Sequence, residues 1–213
     1  VKRIRTFETF NTDLEIISDK IVDDIHTTCQ ENNIEFVLSN TDKVDAGDNY
    51  LCNGYFDDDG KSLTVAIKKD IKEWLPILMH ESCHMEQYIQ QTKSWTDYID
   101  NDFDMWAWLD GKEYNESEIN TGVDICKNME LECERKTIQK MKKYGLENFF
   151  NFEEVIQKTN SYILFYNYIK KYRKWYKEGP YNIKEIWKNM PKTMDINYDD
   201  LNDILAASYL KCV

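Results

Sequence analysis

The sequence predicts a mostly helical α+β protein, with a small antiparallel sheet near its start and a lobe of helices towards its end. Three observations carry that prediction. Apolar residues recur at helical spacing from Leu14 to Cys29, then in short β-type runs from Ile34 to Ile67, then at helical spacing again from Trp74 onward. Pro and Gly number only 3 and 7 in 213 residues, so the helices can run long and unbroken. No repeat or low-complexity linker interrupts the chain, which predicts one domain over 1–213 with approximate lobes at 1–93 and 94–213.

The elements follow in order. Thr12 or Asp13 can cap a first helix that runs to about Asn33, with Leu14, Ile17, Ile21, Ile25 and Cys29 on one face. Ile34 to Leu38 reads as a short strand. Tyr50 to Phe56 and Lys61 to Ile67 read as a hairpin around Asp57-Asp58-Asp59-Gly60, a solvated turn whose spacing does not fit a Ca²⁺ loop. Pro76 is best tolerated in a first helical turn, which places the next helix from about Leu75 to Gln91. Ser94 to Asp110 reads as a loop or short helices, its Trp95, Trp106 and Trp108 as core aromatics. Long helices are expected from about Glu116 to Tyr144, stopped by Gly145, and from about Phe152 to Glu178, stopped by Gly179-Pro180. The stripe Tyr162, Phe165, Tyr166, Ile169 and Tyr172 reads as core packing. Short helices near Ile183–Asn189 and Asp199–Leu210 close the chain.

Bulk properties exclude several function classes. A formal charge of −12 repels nucleic acid and anionic membranes, so neither is expected as a partner. No run approaches the ~20 apolar residues of a membrane span. No secretory signal pattern opens the chain, and its six Cys form no C-x-x-C pair. Reduced thiols and a cytoplasmic location are the expectation.

The chemistry centres on His80-Glu81-Ser82-Cys83-His84, an H-E-x-x-H sequence in a helix. Residues four apart share a helical face, so two imidazoles so placed can converge on one Zn²⁺. Glu81 lies about 100° round the helix, where its carboxylate can act as general base on a metal-activated water. A third ligand must come from elsewhere. In the pattern H-E-x-x-H-x-x-G-x-x-H a Gly and a third His would follow directly; those positions are Gln87 and Gln90, which excludes that class, and His26 lies upstream. Carboxylates remain. In Glu130-Leu131-Glu132-Cys133-Glu134, Glu130 and Glu134 share a face: one can bind zinc while the other orients a ligating imidazole. Small Cys133 would let helices approach closely, and a solvated acidic face is the bland alternative. Asp97, Asp100, Asp102 and Asp104 are the fallback, and Cys83 a thiolate option that reads better as packing.

This arrangement resembles the gluzincin zinc metallopeptidases, in which H-E-x-x-H is followed by a helix bearing E-x-x-x-D. Glu130 takes the ligand position and Glu134 stands in place of the Asp, a departure that leaves the two roles open between them. The segments His80–Gln87 and Glu130–Thr137, with the helix ending in Arg173-Lys174-Trp175, also look like uncharacterised H-E-x-x-H proteins of tailed bacteriophages. The likeness implies a zincin-like domain, and host-cell cytoplasm if the protein is phage-encoded. It also implies an edge strand that aligns a peptide substrate, for which Leu63–Ile67 is the natural counterpart. His80, His84 and Glu130 would then hold Zn²⁺ while Glu81 moves the proton from water to leaving amine. The usual downstream His is absent, which leaves Tyr162, Tyr166 and Arg173 as candidate oxyanion donors. Three functions fit: a zinc metallopeptidase, a catalytically silent protein of this fold that binds or regulates a partner, and a zinc hydrolase of a non-peptide amide.

Overall fold

The computed structural model describes residues 7–47, 49–200 and 203–213. In chain order they form α1 (Phe7–Glu31), β1 (Glu35–Ser39), β2 (Val44–Asp45), β3 (Leu51–Cys52), β4 (Gly54–Asp57), β5 (Ser62–Ala66) and α2 (Ile71–Gln90). Helices α3 (Lys93–Ile99), α4 (Met105–Leu109), α5 (Glu116–Lys143), α6 (Phe152–Tyr172), α7 (Lys184–Trp187) and α8 (Asp203–Tyr209) follow. The order is that of a mostly helical α+β chain. It divides into two compact units, 1–90 with 136–150, and 91–135 with 151–213. None of the described helices is long and apolar enough to cross a membrane.

In the first unit, α1 buries Leu14, Ile21, Ile25 and Cys29, the face its spacing predicts. The helix already runs from Phe7, so Thr12 and Asp13 lie inside it rather than capping it. It ends where Asn33 turns left-handed (φ 55°) and the Ile34 amide donates to the Cys29 carbonyl at 2.9 Å. β4 and β5 form the expected hairpin, Asp57 facing Ser62. Its turn is held by Asp57 Oδ1, which accepts from the amides of Asp59 and Gly60 at 3.1 and 3.0 Å.

The sheet differs from expectation in one respect. Its order is β1-β5-β4, with β5 antiparallel to β4 but parallel to β1, so it is mixed rather than antiparallel. The chain reverses through the separate β2–β3 ribbon and β4 before it returns alongside β1. β5 is therefore the central strand, with Leu63, Thr64, Val65 and Ala66 all buried. Leu63–Ile67 cannot be a peptide-aligning edge, because backbone pairing already occupies both sides of its strand.

Helix α2 packs on β4 and β5. It starts four residues earlier than Pro76 suggested, because Asp70 caps it: Oδ1 accepts the Lys72 amide at 2.8 Å. Pro76 sits inside, and the carbonyl it cannot serve belongs to exposed Lys72, where water can replace the lost bond. Gly54 permits the close approach of β4. A Cβ there would lie 3.0 Å from Ile77 Cγ2 and 3.1 Å from Val65 Cγ2. Residues 136–150 complete this unit by burying Ile138, Met141 and Leu146.

The second unit is built around α6, whose Ile163, Phe165, Tyr168 and Ile169 are fully buried. Aromatic rings dominate this core. Phe165 meets Tyr168, Tyr176 and Tyr209 at centroid distances of 5.2, 5.5 and 5.1 Å. Trp95 and Trp108 are core residues as expected, whereas Trp106 is 48% exposed. α6 stops at Tyr172, short of Glu178, because Arg173 turns left-handed (φ 50°). The Asp199–Leu210 helix is realised as α8, and its stretch at 201 and 202 lies outside the described residues.

Candidate metal centre

The two motif histidines lie one turn apart on α2, and their Nε2 atoms face each other at 3.1 Å. Two nitrogens on one tetrahedral zinc at ~2.0–2.1 Å would stand about 3.4 Å apart, so the pair needs only a small opening to share an ion. His84 is buried and His80 half-buried. Behind His84, the fully buried Gln87 offers Oε1 at 2.9 Å from Nδ1. Sequence reasoning used Gln87 only to exclude the H-E-x-x-H-x-x-G-x-x-H class and missed this role. Its signal was the i, i+3 spacing from His84.

Glu81 is half-buried beside the pair. Its charge is felt at the Cys52 thiol of β3, which burial first and Glu81 second push above the usual thiol range. One turn along α2, Lys140 of α5 donates to Ser82 Oγ at 2.8 Å and pairs with Glu86 at 2.7 Å. Cys83 is buried in the core, as packing requires.

In the second unit, α5 sends its acidic residues in two directions, as the spacing predicts. Glu134 accepts from Thr159 Oγ1 of α6 at 3.0 Å. One carboxylate oxygen of Glu130 is buried, and its charge acts on Tyr162 and Tyr166 of α6. Glu132 faces elsewhere, accepting from Thr92 and Ser94 at the start of α3. The Tyr162 and Tyr166 hydroxyls share a 3.2 Å hydrogen bond. Burial, then the Glu130 carboxylate, holds both phenols far above their ordinary range, so they stay protonated donors. Arg173 is engaged otherwise. Its guanidinium donates to the carbonyls of Trp108 and Lys112 and stacks on the Trp108 ring.

Among the fallback carboxylates, Asp97 pairs with Lys93 at 2.6 Å and Asp104 caps α4 through the Ala107 amide. Among the described residues, the group with metal-binding spacing is His80, His84 and Cys133, whose ligand atoms all lie within 4.8 Å of one another. Two imidazoles and a thiolate are a donor set of the kind that suits zinc. The sequence marks Cys133 only as a small residue that lets helices approach. Glu130 precedes it by three residues on the same helix. No protein family, curated protein or solved structure matches the chain.

Proposed function

We propose that this protein is a zinc-dependent metallopeptidase of the gluzincin kind, with a zincin-like fold, acting on a peptide or protein in the cytoplasm. The observation that carries the reading is the convergence of His80 Nε2 and His84 Nε2 at 3.1 Å, with His84 anchored from behind by Gln87. His80 and His84 would hold the ion, with a third ligand from α5, either Glu130, as the family resemblance has it, or Cys133. Imidazole with thiolate or carboxylate suits zinc better than magnesium or calcium. Bound zinc would acidify a water molecule and polarise a carbonyl.

The remaining steps belong to the chain. The Glu81 carboxylate takes the proton from the attacking water and passes it to the leaving amine. Tyr162 and Tyr166, which burial keeps protonated, are the donors available to an oxyanion. With β5 central, the edge strand β4 takes the peptide-aligning place.

The test is cleavage of a mixed peptide library by the zinc-loaded protein, read by mass spectrometry. Glu81→Gln should retain zinc and lose cleavage. A zinc-loaded wild type that cleaves nothing, or a Glu81→Gln variant that cleaves equally, sinks the catalytic reading. The partner-binding alternative keeps the metal centre and drops cleavage; the strand that the resemblance assigns to substrate pairing is closed on both sides.

A further inference from the structure

Hydrogen-bond chemistry fixes the tautomer of one motif imidazole. Gln87 Oε1 can only accept, so His84 Nδ1, 2.9 Å away, carries a hydrogen. A neutral imidazole has one N–H, so His84 Nε2 presents a lone pair. That lone pair is on the nitrogen turned towards His80 Nε2, 3.1 Å away, where the two imidazoles converge.

We propose that Gln87 is a positioning residue that locks His84 in the metal-ready tautomer. To bind an ion through Nε2, His84 need change nothing. An amide suits position 87. Its side chain is fully buried, where an ionised carboxylate would be costly to desolvate, while the neutral Oε1 fixes the ring equally well.

The proposal rests on reading the pair as a metal site, but its first test needs no metal. The chain has three histidines, so nitrogen-15 spectra of the imidazoles in metal-free, full-length protein in mildly alkaline buffer give three separable patterns. The expected result is the Nδ1–H form at His84. Finding Nε2–H at His84 of the wild type overturns the proposal, whether or not any variant folds. Gln87→Met keeps the side-chain length and removes the acceptor. It should mix the tautomers of His84 and weaken zinc binding by about 10–100-fold in chelator competition. Gln87→Glu should restore both, which a loss of packing alone would not do. An unchanged tautomer and affinity in Gln87→Met also overturns the assignment. Wild type that shows the expected tautomer but takes up no zinc supports the role of Gln87 and rejects the metallopeptidase.

Discussion

Both units bury polar side chains, but they spend them differently. In the second unit these groups reach from α5 and α6 to backbone carbonyls of the irregular segment 188–200. Gln157 donates to Lys188 and Met190, Asn160 to Pro191 and Thr193, and Asn167 to Tyr198. Lys127, 1% exposed, donates to the Tyr198 carbonyl and pairs with Asp199 and Asp124. Each carbonyl gains a partner that water would otherwise supply, and a segment with little regular structure is fixed in place. In the first unit the buried polar groups cluster on α2, where imidazole faces imidazole and one amide stands behind. The second pattern stabilises backbone. The first sets two imidazoles and one amide in line on a single helix.

Mutations that respect this division should separate function from stability. The largest effect is expected of Glu81→Gln, which should lower peptide cleavage by about 10²–10⁴-fold while bound zinc and the unfolding midpoint stay put. Next come the two α5 candidates. Cys133→Ser should cost more zinc affinity than Glu130→Gln, measured by competition with a chromogenic chelator. The reverse order assigns the ligand to Glu130. Gly54→Ala should destabilise by about 1–3 kcal/mol in urea titration, because the added methyl meets Ile77 and Val65 across a packed layer. It tests whether the seat of α2 on the sheet is as tight as the site above it requires.

The smallest effects belong to the Lys127 network. Lys127→Met should cost about 1–2 kcal/mol, since its partners Asp124 and Asp199 are themselves partly open to water, and zinc affinity should not move. Hydrogen bonding from Lys127 holds the Asp199 carboxyl below the ordinary aspartate range. A depressed carboxyl adds stability above its unfolded value and loses it as pH falls through the folded one. Acid should therefore loosen segment 188–200 below about pH 3.8 in the wild type, read by hydrogen exchange, and much less additionally in Lys127→Met.

How legible each feature was in the sequence follows from its range. The α2 pair, the Glu130/Glu134 face and the Asp57–Gly60 turn depend on neighbours within four residues, and periodicity exposed them. Gly145 as a helix stop is equally local, its φ of 71° being one that glycine adopts freely. The central place of β5 depends on β1, more than twenty residues away, and no alternation pattern encodes which side a returning strand takes. Pro76 misled because a cap six residues earlier outweighs one missing amide bond. Cys133 was missed for another reason. A small apolar side chain looks the same in a sequence whether it packs or ligates.

Helix α5 is one unbroken element, yet residues 116–135 fall in one unit and 136–143 in the other. That sharing has a consequence during synthesis. When α2 leaves the ribosome the first unit still lacks 136–150, and so lacks Ile138, Met141 and Leu146. At about 5–20 residues per second the first unit waits several seconds for these buried residues. Slowing translation across 91–135 should therefore prolong the time for which this core stays incomplete, read by protease sensitivity of the nascent chain.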